Sequence, residues 1–142
     1  MTGRKLMGSG AALVLLGLLT GLVSPGFVNP RMGLSSHLAG LSGGTLLIAL
    51  GAGWTHVVLD ASAKRVAGWL LSLGFAANWL ATLLAAVWGA GGGMMPLASG
   101  DHVAAPWQEA VVAGLLIALS LAVIAGMALV CWGLARRDES AR

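Results

Sequence analysis

Apolar residues fill four long stretches of this chain, Met7 to Val23, Leu34 to Leu59, Val66 to Gly89 and Gln108 to Leu134, and polar residues collect in the three connections between them. Each stretch is about long enough to cross a ~30 Å hydrocarbon core, which takes roughly 20 helical residues at 1.5 Å each. The pattern predicts an all-α fold: a polytopic membrane protein in which residues 1–142 form a single four-transmembrane-helix domain. Composition sharpens this reading. With 58% hydrophobic and 9% charged residues, the chain has no material for the water-facing shell of a soluble domain.

Charge adds orientation. Of the eight Lys and Arg residues, Arg4, Lys5, Lys64, Arg65, Arg136, Arg137 and Arg142 lie on the side shared by the N-terminus, the second connection and the C-terminus. Only Arg31 lies on the other side. Basic residues in short loops resist translocation, so both termini are expected to be cytoplasmic, in a cell inner membrane. The excess of positive charge reports topology, and no nucleic-acid partner is expected.

Arg4 and Lys5 before an apolar run resemble the start of a signal peptide, but Gly21 to Pro25 offers no small-x-small cleavage site, and a retained helix is expected. Cys131 is the one cysteine, which excludes an internal disulfide. The connection from Ala90 to Trp107, with Gly91 to Gly93 and Met94-Met95-Pro96, is expected to fold over the bundle mouth as a lid. The tail from Ala135 onward is polar and expected to be disordered.

Small residues recur on the second helix at Ser36, Gly40 and Gly44, and on the third at Gly74, Asn78 and Thr82. Such rows let helix backbones approach closely in lipid, and a slot left in them can admit a flat ligand. Polar residues within a span are costly and mark function by default. His37 and His56 are read on the second helix, Asn78 near the middle of the third, and Gln108 and Glu109 at the start of the fourth. Trp54, Trp69, Trp88, Trp107 and Trp132 lie toward span ends, as an interfacial belt predicts. The two histidines are 19 residues apart on one helix, which excludes a bis-histidine haem at one depth. If His37 binds haem iron, the opposite axial position stays free for substrate, which favours chemistry over electron transfer.

Two long strings carry a resemblance: NPRMGLSSHLAGLSGGTLLIALGAGW from Asn29 to Trp54, and ANWLATLLAAVWGAGGGMMPLASG from Ala77 to Gly100. They look like the second and third helices of the bacterial hydroxylaminobenzene mutases, and the likeness continues from Gln108-Glu109 through the fourth helix. A more distant similarity runs to styrene oxide isomerase, whose histidine followed seven residues later by glycine resembles His37 and Gly44. The resemblance implies an isomerase that converts aryl hydroxylamines to 2-aminophenols. It also implies haem b with His37 as iron ligand, Gly40 and Gly44 beside the cofactor, Asn78 positioning a small aromatic substrate, and a homo-trimer. Mutase sequences commonly carry Glu and Asn where this chain has Ala39 and Gly43.

The implied chemistry is Lewis-acid isomerisation at ferric haem in a site that excludes water. The alternatives are a styrene-oxide-type epoxide isomerase, a non-catalytic haem-binding protein and a proton-coupled small-molecule transporter. A transporter of that kind needs a membrane-embedded acid, and no Asp or Glu lies within the first apolar stretch.

Overall fold

A computed structural model describes residues 1–136, and Arg137, Arg142 and the rest of the polar tail lie outside the described residues. The chain forms α1 (Gly3–Val23), α2 (Pro30–Ala52), α3 (Ala61–Trp88), a single short turn α4 (Pro96–Ser99) and α5 (Pro106–Ala135). The four long helices are each long and apolar enough to cross a membrane. No strand occurs among the described residues.

Local chemistry fixes the helix starts. Asn29 caps α2 by accepting the Met32 N–H at 3.1 Å, and Pro30 follows at the first helical position, where its missing N–H costs nothing. Asp60 caps α3 by accepting from the backbone of Ser62 and Ala63, both at 2.9 Å. These bonds hold the exposed Asp60 carboxyl below its ordinary pKa, with the Ala63 N–H the largest cause and the Ser62 hydroxyl the next. Gly89 stops α3 in the left-handed region at φ 69°, a conformation that disfavours a Cβ.

Several boundaries differ from the hydropathy reading: α1, α2 and α3 begin at Gly3, Pro30 and Ala61, ahead of Met7, Leu34 and Val66. The second helix ends at Ala52, and Gly53 leads into a tight 3₁₀ turn, Trp54–His56. Val57 to Leu59 are apolar because they pack on α5, where the Val58 N–H donates to the Gly133 carbonyl at 2.8 Å and a Cβ on Gly133 would meet Val57 and Leu59. His56 therefore lies beyond α2, not on it. Trp54 departs from the interfacial belt: it is 5% exposed, and its indole N–H donates to the Met1 carbonyl at 3.2 Å. Ala135, where a disordered tail was expected to begin, is the last residue of α5, and the rest of that expectation falls on residues 137–142, outside the described residues.

α1 packs along α2, α2 along α3, and α3 along α5. Met1 lies against Gly68 near the start of α3, and Gly133 near the end of α5 lies against the α2–α3 connection. The N-terminus, that connection and the end of α5 thus share one end of the bundle. At the other end Asn29, 1% exposed, ties three elements together: its N–H donates to Ala86 of α3, and its amide donates to the Ala98 and Ser99 carbonyls of α4. The outward faces stay apolar, as with Leu15, Leu22, Leu73, Ile117, Leu121 and Ile124.

Candidate functional site

The α1–α2 seam explains where His37 points. Gly3, Gly10 and Gly17 recur at intervals of seven on α1, and His37, Gly44 and Gly51 recur at the same interval on α2. Running antiparallel, the two rows meet pairwise. A Cβ on Gly44 would lie 2.6 Å from the Gly10 carbonyl oxygen, and one on Gly51 would lie 2.7 Å from the Gly3 carbonyl oxygen. A seven-residue repeat keeps one seam in register along two slightly supercoiled helices. At the third level the α2 partner of Gly17 is the imidazole of His37.

There His37, half-buried, has its Nδ1 2.8 Å from the Gly17 carbonyl. Nδ1–H donates to that carbonyl, so the neutral ring carries its lone pair at Nε2, the usual arrangement of a histidine prepared to bind metal. Gly21 completes the setting: a Cβ there would sit 2.5 Å from Nδ1 and 2.9 Å from Cε1. Gly40 is pressed to within 2.6 Å of the Gly17 Cα, measured from its ideal Cβ, so Gly40 and Gly44 are filled by α1. Within one protomer there is no slot for a flat ligand between α1 and α2 at these two residues. The open space on α2 lies instead on its outer face, a groove of about 560 Å³ lined by Leu38, Leu41, Ser42, Thr45, Leu46 and Ala49 and not by His37.

A belt of polar bonds braces this level. The Ser36 hydroxyl donates to the Trp79 carbonyl at 3.0 Å, and the Trp79 indole N–H donates to the Thr20 hydroxyl at 3.0 Å. Thr20 in turn donates to the Leu16 carbonyl at 2.8 Å. Three helices are thereby locked around the His37 turn. The role of Thr20 was not legible in the sequence, because it depends on which face α3 turns toward α1.

Asn78 opens the other way. It lines a cavity of about 260 Å³ between α3 and α5 with Phe75, Leu119, Ser120, Val123 and Ile124. Its backbone carbonyl accepts from Thr82 at 2.9 Å, while its side-chain amide has no hydrogen-bond partner among the described residues. Gly74, one turn earlier, makes way for Val123. Phe75 lies over Gly43, where a Cβ would come within 3.0 Å of the Phe75 Cβ, so a larger residue at 43 would collide with that ring as it stands. His37 and Asn78 therefore face different neighbours, and a single chain does not bring them into one cavity.

Other sequence-derived candidates serve structure. Both oxygens of Glu109 accept the Gly91 N–H at 3.0 Å, and Oε1 also takes the Gly92 N–H at 3.4 Å. Gly91 has φ 109°, which a residue with a Cβ rarely adopts. The Gln108 side chain accepts the Ala105 N–H at 2.9 Å, closing the first turn of α5. The Arg31 guanidinium donates to the Leu97 carbonyl at 2.9 Å, so the long connection is tied to α2 and α5 at several points. Cys131 is exposed on α5.

The sequence profile described as styrene oxide isomerase matches residues 2–135. The chain is 49% identical over 142 residues to hydroxylaminobenzene mutase HabB of Ectopseudomonas oleovorans, covering 97% of this chain and 87% of that protein. It is 44% identical over 131 residues to hydroxylaminobenzene mutase HabA of the same organism, covering 92% of this chain and 97% of that protein. No solved structure matches. Likeness of this extent leaves no helix of the bundle outside it, and the chain belongs to the styrene oxide isomerase family as an isomerase of the mutase kind.

Proposed function

We propose that this protein converts hydroxylaminobenzene-type aryl hydroxylamines to 2-aminophenols within a cell inner membrane, both termini cytoplasmic. The observation that carries the substrate class is the 49% identity to a hydroxylaminobenzene mutase across 97% of the chain. In this isomerisation the N–O bond breaks, a C–O bond forms at the ortho carbon, and the ring proton displaced there is replaced by one on nitrogen. Atoms and electrons balance without an oxidant or reductant.

His37 is the residue that would hold an imidazole-bound haem b. Among the described residues no three His, Cys, Asp or Glu side chains gather to hold a metal by themselves. A lone imidazole suits an iron whose equatorial positions are filled by a macrocycle. His37 offers a free Nε2 with Nδ1 committed to the Gly17 carbonyl, and the apolar outer groove of α2 begins at its neighbour Leu38. Ferric haem held there would supply a Lewis acid for polarising the N–O oxygen. Gly40 and Gly44 would act by holding α1 against α2, keeping His37 in place.

The remaining work falls to the chain. The unpartnered Asn78 amide would position the hydroxylamine, and Phe75, Leu119 and Val123 would enclose the ring. Apolar walls exclude water, whose capture of a developing ring cation favours the para product. Because His37 and Asn78 open on different faces, the proposed homo-trimer would complete the site by setting the α3–α5 face of one copy against the α2 face of the next. Detergent-solubilised protein given phenylhydroxylamine alone should form 2-aminophenol and show a Soret band that His37→Ala abolishes. Co-expressed His37→Ala and Asn78→Ala chains should recover activity that neither shows alone. Turnover without a Soret band would overturn the haem, and absence of rescue would overturn the shared site.

The match to the styrene oxide isomerase profile supports a second reading, opening of an aryl epoxide to an aldehyde. Styrene oxide turned over faster than phenylhydroxylamine would favour it.

A further inference from the structure

A third cavity, of about 250 Å³, lies between α1 and α3 with Leu47 of α2 behind it. Its walls include Leu13, Leu16, Ala76 and, as polar groups, Ser9 and Ser72. The Ser9 hydroxyl is committed to the Lys5 carbonyl at 3.0 Å. Ser72 is only 8% exposed, and its buried Oγ has no hydrogen-bond partner. A helical serine ordinarily satisfies itself on the carbonyl four residues back, as Ser42 and Ser120 do here at 2.7 Å. Ser72 instead keeps its hydroxyl available in a cavity otherwise lined by hydrocarbon.

The cavity opens on the outer surface of the bundle, where Leu16 is 40% and Leu73 60% exposed. Water suits it poorly, since it offers one free hydroxyl against the roughly two to four polar partners an ordered water makes. A substituted benzene suits it better: an apolar cavity of about 150 Å³ already takes benzene, which leaves room here for a substituent. We propose that this cavity binds a small monocyclic aromatic bearing one hydrogen-bonding nitrogen or oxygen, its ring against Leu13, Leu16 and Leu47 and its substituent on Ser72 Oγ. The choice of an aryl amine or hydroxylamine rests on the mutase reading, and the site is separate from both His37 and Asn78. Leu16 lines the cavity and adjoins Gly17, whose carbonyl orients His37. An occupant therefore sits one residue from the turn that holds the proposed haem ligand, as a lipid-side holding site for substrate or product.

Photolabelling with 4-azidophenol in lipid nanodiscs, read residue by residue by mass spectrometry, tests this. Label is expected on the α1 segment Ser9 to Leu16, competed by aniline and lost when Ser72→Leu fills the cavity. Ser72→Ala removes a hydroxyl that bonds to nothing, so the fold should persist, with aniline competition weakened about fivefold by loss of one hydrogen bond. Label that aniline does not displace, that is unchanged in both variants, or that falls on Asn78 and Ser120 alone overturns the site. Phenylhydroxylamine turnover is measured on the same samples. Competed label without turnover keeps this site and defeats the mutase reading, while turnover without label here does the reverse.

Discussion

Replacing Gly21 by alanine tests whether the orientation of His37 matters to catalysis apart from the fold. The new Cβ would stand 2.5 Å from Nδ1 and 2.9 Å from Cε1 of His37, roughly 1 Å inside van der Waals contact. The obstructing atoms belong to a side chain, so the ring gives way and the helices do not. Displacing it breaks the 2.8 Å bond from Nδ1 to the Gly17 carbonyl, which costs about 1 kcal/mol. Alanine regains about 1 kcal/mol over glycine within a helix, so thermal stability in detergent should hardly change. Activity should change, because loss of the group that orients a metal-binding histidine typically costs about 10- to 100-fold. Initial rates of 2-aminophenol formation, set beside the thermal midpoint, separate the two effects. Gly8→Ala is the control, since nothing lies within 4 Å of its new Cβ. A Gly21→Ala enzyme with wild-type rate and midpoint would refute the argument that this hydrogen bond prepares His37.

The seam itself should respond in the opposite way. Gly44→Ala places its Cβ 2.6 Å from the Gly10 carbonyl oxygen, which cannot rotate aside, so the bundle should lose about 1–3 kcal/mol; a thermal midpoint equal to that of Gly8→Ala would contradict it. Glu109→Gln removes the charge from the acceptor of the Gly91 and Gly92 N–H groups, so the Gly91–Met95 segment should become more sensitive to limited proteolysis, at a cost of about 2 kcal/mol. Unchanged cleavage kinetics would show that the segment is held by its other bonds. The lowered pKa of Asp60 sets a sign: its contribution is complete above the unfolded-state pKa and is lost as pH falls through the lower folded value. Asp60→Asn keeps a capping side chain without the titration, so its thermal midpoint should fall less on acidification than that of the wild type, and identical acid limbs would exclude the effect.

Hydropathy made the four helices legible because lipid-facing residues need only be apolar, whatever their neighbours. It failed where apolar residues serve another contact. Val57 to Leu59 look like the end of a span but pack on Gly133, and the break before them comes from Gly53 and the tight turn through His56. Trp54 looks interfacial from its place near a span end, yet it is buried where Met1 folds back to accept its N–H. The glycines of α2 were legible as a four-residue packing row from Ser36, and the interval from His37 to Gly44 as a family likeness, but the seven-residue spacing was not legible as a packing seam. Only the matching interval on α1 reveals it, and that requires reading two helices together in antiparallel register. For the same reason His37 was identifiable as a candidate from the sequence, whereas its orienting partner, a backbone carbonyl on another helix, was not. Asn78 stood out as an amide within a span. Its direction toward α5, away from His37, follows from Gly74 and Val123 meeting one turn earlier.

The polar groups left unused within the spans form a pattern. In a medium without water, an unsatisfied hydroxyl or amide is costly, and a helix offers an immediate remedy in its own carbonyls. Thr20, Ser42, Thr82 and Ser120 all take that remedy, with bonds of 2.7–2.9 Å to the carbonyl four residues back. Ser36 spends its hydroxyl on α3, and Trp79 spends its N–H on α1. Against this background, the His37 ring with one nitrogen committed, the Asn78 amide and the Ser72 hydroxyl differ in kind. Asn78 and Ser72 line separate cavities, and the groove on α2 begins at Leu38, the neighbour of His37. Most span hydroxyls are satisfied this locally, with the exposed Thr45 on the α2 groove a further open one, and packing alone gives no need for polar groups left open beside open space. The proposed ligands would complete them: a metal-bearing group at Nε2 of His37, and an amphipathic aromatic at each of the other two. Asn78 and Ser72 lie away from the glycine seam that holds α1 and α2 together, so each can be tested by substitution without disturbing it, whereas His37 belongs to that seam and is tested through Gly21.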